Sequence, residues 1–187
     1  MSGGLVLASA SPQRRAILEQ IGVAFEVRPA HVEEIEDGDP VAAAEENARR
    51  KAAAVPSLLT LGADTVVALD GEILGKPRDE AQAREFVARL AGRTHQVVGG
   101  IALSRDGEVT DTAVEITKVH FRDATPAMLD WYVATGEWRG RAGGYAIQGA
   151  GAALVAGIEG DYLNVVGLPL QRLLDLMPEL LEGARPL

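Results

Sequence analysis

The sequence predicts an α/β domain built on a mixed β-sheet, and three observations predict it. Strand-like and helix-like segments alternate along the chain. Some strand segments are joined by tight turns, at Asp70-Gly71 and Arg105-Asp106-Gly107, as antiparallel neighbours are; others are separated by helical segments, as parallel neighbours are. No low-complexity linker interrupts the pattern, so the 187 residues are expected to form a single domain, 1–187.

The elements follow in order. Leu5 to Ala8 reads as a short buried strand, running through Ser9-Ala10-Ser11-Pro12 into a helix from Gln13 to Ile21; Pro12 suits the first helical turn and Gly22 the exit. Ala24 to Val27 reads as a strand, and residues 28–39 as an acidic loop. Asp39-Pro40 is a strong start signal for a helix over Val41–Val55. Leu58–Ala63 and Val66–Leu69 read as strand segments broken at Asp64, with a hairpin return through Glu72–Leu74. Ala83, Phe86, Val87 and Leu90 have helical spacing within residues 79–91. Thr94–Ser104 and Glu108–His120 read as long strands, and Thr125-Pro126 caps a helix over Ala127–Ala134. A glycine-rich stretch from Gly136 to Gly151 leads to strands near Ala153–Ile158 and Tyr162–Val166. Leu168-Pro169 opens a last helix to about Met177.

Composition narrows the function. Hydrophobic residues make up 47% and aromatics only 4%, so the core is built from Ala, Val, Leu and Ile. Lys plus Arg is 18 against 27 Asp plus Glu, a net charge of -9, which argues against a general nucleic-acid binder. A local basic pocket for an anionic small molecule remains compatible with that surface. There is no cysteine, which removes disulfides, thiolate metal sites and a Cys nucleophile, and favours a cytoplasmic location. Residues 1–10 lack a basic stretch and a long apolar run, so no secretory signal is expected there. No uncharged apolar stretch is long enough to span a bilayer as a helix.

Several segments can carry chemistry. Ser9, Ser11 and Arg14 lie at a strand-to-helix junction, where free N–H groups and hydroxyls suit a phosphate; the alternative is an ordinary helix cap with surface arginines. Asp64 interrupts an apolar strand, which is costly unless the carboxylate is paired, hydrogen-bonded or metal-bound. Glu33 and Glu34 are candidates for a second carboxylate, and each alone could equally be a solvated loop residue. Such oxygen-rich sites suit magnesium or manganese. Lys51 and Lys76 are two of only three lysines. Gly71–Pro77 is not a P-loop: one residue is missing between its glycines, and Pro77 stands where Ser or Thr is required. Gly149-Ala-Gly151 is no dinucleotide fingerprint, since Leu154 replaces the third glycine. His31, His95 and His120 lack paired metal-ligand spacing. Trp131, Tyr132 and Trp138 could stack on a base, although core packing is the default for the helical pair.

Seven runs occur together and in order: Leu7-Ala-Ser-Ala-Ser-Pro-Gln-Arg14, Val32-Glu-Glu34, Gly62-Ala-Asp-Thr65, Gly75-Lys-Pro-Arg-Asp79, Leu90-Ala-Gly-Arg-Thr-His95, Ala142-Gly-Gly-Tyr-Ala-Ile-Gln-Gly149 and Val165-Val-Gly-Leu-Pro-Leu170. The set resembles the Maf family of nucleoside triphosphate pyrophosphatases from about Leu5 to Met177. That resemblance implies a mixed, elongated sheet with flanking helices and two lobes around a cleft, similar to inosine triphosphate pyrophosphatases. It implies cleavage of a nucleoside triphosphate to the monophosphate and pyrophosphate, a divalent cation (Mg2+ or Mn2+), a house-cleaning role and a homodimer. It makes Asp64 the catalytic acidic residue, acting as proton acceptor, and Glu33 its acidic partner, with both as metal ligands. Ser9, Ser11, Arg14, Lys51 and Lys76 would bind the phosphates, and Gln13, Thr65 and Gln148 would choose the base. Tyr145–Gly149 resembles the branch preferring dTTP and UTP; the alternatives are the 7-methyl-GTP branch and an interaction protein that inhibits septum formation. Gln13 departs from the family pattern, which has Arg there; Arg15 is extra but shifted by two positions.

Overall fold

A computed structural model describes residues 4–182 and 184. The strands are β1 (Leu5–Leu7), β2 (Phe25–Val27), β3 (Thr60–Leu69), β4 (Glu72–Leu74), β5 (Thr94–Arg105), β6 (Glu108–Phe121) and β7 (Val155–Glu159). The helices are α1 (Pro12–Gln20), α2 (Pro40–Ala53), α3 (Glu80–Leu90), α4 (Pro126–Ala134), α5 (Tyr162–Val166) and α6 (Leu170–Leu176). One seven-stranded sheet runs β2-β1-β3-β5-β6-β7, with β4 also paired to β3. β1 pairs in parallel with β2 and β3, and the remaining pairs are antiparallel, which makes the sheet mixed.

Two of the sequence expectations differ from this fold. β3 is not broken at Asp64 but runs through it, paired with β5 from Thr60↔Ser104 to Ala68↔Gln96. Tyr162–Val166 is a short helix, not a strand. Its Asp161 side chain accepts the Leu163 N–H at 2.8 Å, and Asn164, fully buried, donates to Val97 O and Thr117 Oγ1 at 3.0 Å. These bonds fix the segment against β5 and β6 and outweigh the strand preference of its valines.

The placement of α2 follows from small residues. Ala44, Ala48 and Ala52 recur at i, i+4 and are fully buried against the sheet. They meet β3 at Gly62 and β5 at Gly100, where a Cβ would lie 2.2 Å from Ala48 O and from Ala44 O respectively. Only glycine permits so close an approach of helix to sheet. The adjoining face of α2 carries Asn47 and Lys51, also four apart, and both are buried toward β3.

The two larger core clusters lie at opposite ends of β3, with two small ones under α2. Leu61 and Ala63 belong to one, with Leu7, Leu18, Ile101 and Leu173. Val67 and Leu69 belong to the other, with Phe86, Leu90, Phe121 and Tyr132. Asp64 and Thr65 lie between them. On the β3 edge away from β5, β1 covers only Thr60–Leu61 and β4 only Val67–Leu69. Among the described residues the intervening edge has no strand partner, and the space between the two lobes opens there.

His95 is buried in the second lobe, edge-on to Phe121 and Tyr145 with ring centroids 5.0 and 5.3 Å away, and its Nε2 shares a 2.8 Å hydrogen bond with the Tyr145 hydroxyl. Burial first, and the nearby His120 second, push its pKa from 6.5 to about 4. The imidazole is neutral in the fold, so stability is complete above about pH 6.5 and is lost as the pH falls toward 4, where the unfolded chain binds the proton first. The shift corresponds to a loss on the order of 3 kcal/mol. Urea unfolding at pH 7.5, 6 and 5 should therefore show a shallower acid-side decline in His95→Gln than in the wild type; equal slopes would contradict the assignment.

Candidate active site

The gap along β3 leads into a cavity of about 740 Å3. Every site residue expected from the sequence lines it except Glu33, which is exposed and outside it; the neighbouring Glu34 lines it instead.

At its centre, Asp64 is buried and accepts two hydrogen bonds from α2: Oδ1 from Lys51 Nζ at 2.6 Å, and Oδ2 from Asn47 Nδ2 at 2.9 Å. Lys51 also contacts Glu34 Oε1 at 2.6 Å, and Lys76 Nζ donates to Glu34 Oε2 at 2.7 Å. Two carboxylates and two ammonium groups thus alternate in one chain, Asp64–Lys51–Glu34–Lys76. Burial alone would push the Glu34 carboxyl up, but the hydrogen bonds and charges of Lys51 and Lys76 outweigh it and hold it at about 2. This pairing supports the fold across the neutral range and is lost only as the pH falls from about 4.5 toward 2.

Asn47 fixes the backbone next to the inward-facing glutamate. Its Oδ1 accepts the Ile35 N–H at 2.7 Å and its Nδ2 donates to Ile35 O at 3.0 Å. The backbone beside Glu34 is thereby fixed to the same side chain that orients Asp64. Sequence reasoning missed Asn47; its spacing of four from Lys51 on a strongly started helix was the available signal.

The loop from β1 to α1 forms a second wall. Ser11 caps α1, accepting the Arg14 N–H at 3.4 Å. Arg14 is buried, and burial pushes its pKa down, opposed by the charges of Asp64 and Glu34. Its guanidinium donates to Ser9 Oγ at 2.8 Å, Thr65 Oγ1 at 3.0 Å and Gly167 O at 2.8 Å. That ties α1, β3 and the end of α5 together. Gln13 Oε1 accepts from Ser11 Oγ at 3.3 Å. Arg15 points elsewhere, in an exposed ion pair with Glu19 at 2.7 Å.

The glycine-rich segment closes the far side. Gln148 is exposed on the cavity wall. Glu137, also not anticipated from sequence, accepts the N–H groups of Ala150 and Gly151 at 2.9 and 3.1 Å, and the Tyr132 hydroxyl accepts the Ala146 N–H at 3.2 Å. The run around Gln148 is therefore pinned on both sides.

The arrangement can hold a polyanion against Lys51, Lys76 and the α1 N-terminus while presenting two carboxylates to it. Among the described residues no cluster of three acidic or His side chains could hold a metal by itself. A pair of carboxylates already converging on one ammonium does fit a cation that draws its remaining ligands from water and substrate phosphates, as magnesium does. Among the described residues, no helix is long and apolar enough to cross a membrane.

The family model described as "Maf-like protein" matches residues 4–180. A protein of Anaeromyxobacter sp. named dTTP/UTP pyrophosphatase is 49% identical over 183 residues, covering 95% of this chain and 89% of that protein. One of Pyrococcus furiosus with the same name is 45% identical over 172 residues, covering 89% and 90%. A solved structure of a nucleoside-triphosphatase, dITP/XTP pyrophosphatase, from Mycobacterium abscessus matches 98% of each chain at 16% identity and a TM-score of 0.47.

Proposed function

The chain belongs to the Maf-like family, and from that premise we propose that it is a nucleoside triphosphate pyrophosphatase that hydrolyses dTTP and UTP. The observation that carries the reading is the Asp64–Lys51–Glu34–Lys76 chain inside a nucleotide-sized cavity. The names of the relatives support the substrates.

In the reaction a water oxygen bonds to the α-phosphorus, and the bond from that phosphorus to the bridging oxygen breaks. Pyrophosphate leaves with the bridging oxygen. Asp64, held on both oxygens by the protein, takes the proton of the attacking water. The substrate phosphates compete with Glu34 for Lys51 and Lys76, and the ammonium groups offset charge on the phosphate chain. Glu34, with Asp64 beside it, would hold a divalent cation, which supplies Lewis-acid stabilisation of phosphate charge. Arg14 and the α1 N-terminus orient the phosphates, while Gln13, Thr65 and Gln148 face the base. The family resemblance further supports a cytoplasmic homodimer with a house-cleaning role.

A panel of nucleotides tests the substrate class. UTP and dTTP should turn over faster than CTP and 7-methyl-GTP; a faster rate on 7-methyl-GTP would place the chain in the other branch. Gln13 gives a second expectation. Arg would add a fixed charge and a planar donor fork where Gln offers a neutral amide. Gln13→Arg should lower KM for UTP, most at low salt where screening is least, with the pyrimidine preference retained. An unchanged or higher KM would show that Gln13 does not meet the substrate in this way.

A further inference from the structure

Among the described residues, one cation on the cavity wall has no protein acceptor. Arg14 donates to Ser9, Thr65 and Gly167; Lys51 and Lys76 are ion-paired to Asp64 and Glu34. Arg139 pairs with Glu80 at 3.6 Å and lies over the Trp138 ring. Arg141 lines the same cavity, and among the described residues its guanidinium makes no hydrogen bond or ion pair. Its Nε is buried without any acceptor.

The backbone around it is firmly held. The Arg141 N–H donates to Trp138 O at 3.1 Å, and its carbonyl accepts the Gly144 N–H at 3.0 Å. Gly143 donates to Gly75 O at 3.0 Å, one residue before Lys76. Gly143 has φ +68° and packs against Val67, where a Cβ would lie 2.7 Å from a Val67 methyl. Arg141 is thus fixed beside the Lys76 turn and on the same segment as Gln148. A buried donor left without an acceptor is costly, and a guanidinium more so. Among the described residues every other basic side chain lining the cavity has an acceptor within the protein, and the Arg141 Nη groups, unlike its Nε, are not buried and can take an acceptor brought by the ligand.

We propose that Arg141 is a further substrate-binding residue, whose guanidinium takes an oxygen of the bound nucleotide. The inference rests on the pyrophosphatase reading. The oxygen belongs either to the phosphate chain or to a pyrimidine carbonyl, both of which accept from a guanidinium.

The test is steady-state kinetics of Arg141→Gln and Arg141→Lys on UTP and CTP at about 0.3 M salt, where distant charges are screened, with inorganic pyrophosphate as inhibitor. Arg141→Gln should raise KM for UTP roughly ten- to a hundred-fold, the scale of one charge-assisted hydrogen bond, with kcat changed far less. Arg141→Lys should recover part of the loss. A phosphate contact weakens pyrophosphate inhibition in parallel; a base contact leaves it intact, and alters the ratio of UTP to CTP where the oxygen is O4, which cytosine lacks, but not where it is the shared O2. The melting temperature of Arg141→Gln should not fall, because no partner in the protein is lost. A KM within two-fold of wild type, or a clear drop in melting temperature, would overturn the proposal. Should the wild type turn over neither UTP nor dTTP, the functional reading fails. Calorimetric titration with UTP then decides Arg141 separately, and equal affinity of wild type and Arg141→Gln would overturn it.

Discussion

Asp64→Asn is expected to lower kcat on UTP by about a hundred- to ten-thousand-fold, the range for loss of a positioned general base. Asparagine keeps the size of the side chain and removes its charge. Asp64 receives donors at both oxygens, Lys51 at 2.6 Å and Asn47 at 2.9 Å. An amide can present only one oxygen, so one of these donors faces an NH2 group instead. That costs roughly 1–3 kcal/mol and should lower the melting temperature without abolishing the fold. Lys51 keeps its contact with Glu34 at 2.6 Å, which leaves the variant foldable and the comparison clean. Turnover near the wild-type rate by folded Asp64→Asn would make Asp64 a structural residue.

The second large effect separates two adjacent glutamates. Glu34→Gln should reduce kcat/KM on UTP by at least roughly a hundred-fold, the scale of losing one preorganised charged group in a reaction site. Both Glu34 oxygens are in use, one on Lys51 and one on Lys76, and the amide would release one lysine and offer a poorer donor to a cation. Glu33→Gln should stay within about two-fold of wild type, since surface substitutions away from such contacts change little and, among the described residues, only the Glu33 backbone carbonyl makes a bond, with Arg50 at 3.4 Å. Parallel assays of the two variants check this, and an inactive Glu33→Gln with an active Glu34→Gln would reverse the assignment.

Much of the fold was legible because local signals agreed with tertiary structure. The Asp39-Pro40 start of α2 is realised by Asp39 Oδ1 accepting the N–H groups of Val41 and Ala42 at 3.1 and 2.8 Å. Asp64 was conspicuous as a carboxylate in an apolar run, and it does sit at the centre of the site. The same residue misled the strand assignment. A lone carboxylate would interrupt a buried strand, but Lys51 and Asn47 reach it from α2 and satisfy it, so β3 continues. Nothing local in sequence carries that information. Tyr162–Val166 shows the same limit, because bonds from Asn164 to two distant strands override a β-rich run.

The choice between Glu33 and Glu34 lay beyond sequence spacing for a related reason. The two are adjacent and chemically identical, and it is tertiary bonding, of Ile35 to Asn47 and of the Glu34 carboxylate to Lys51 and Lys76, that holds one of them inward. Glu137 and Arg141 act from the glycine-rich stretch, where charged residues among glycines were a signal that the sequence reading did not follow. Glu137 works on backbone N–H groups thirteen and fourteen residues away, a separation no periodicity reveals.

The most direct test of the account is the identity of the products formed from UTP by the purified wild-type chain with magnesium or manganese, followed by phosphorus NMR. Uridine monophosphate and pyrophosphate in equal amounts, absent with Asp64→Asn, are the predicted result. Uridine diphosphate with orthophosphate, or the same products from Asp64→Asn at the wild-type rate, would contradict it.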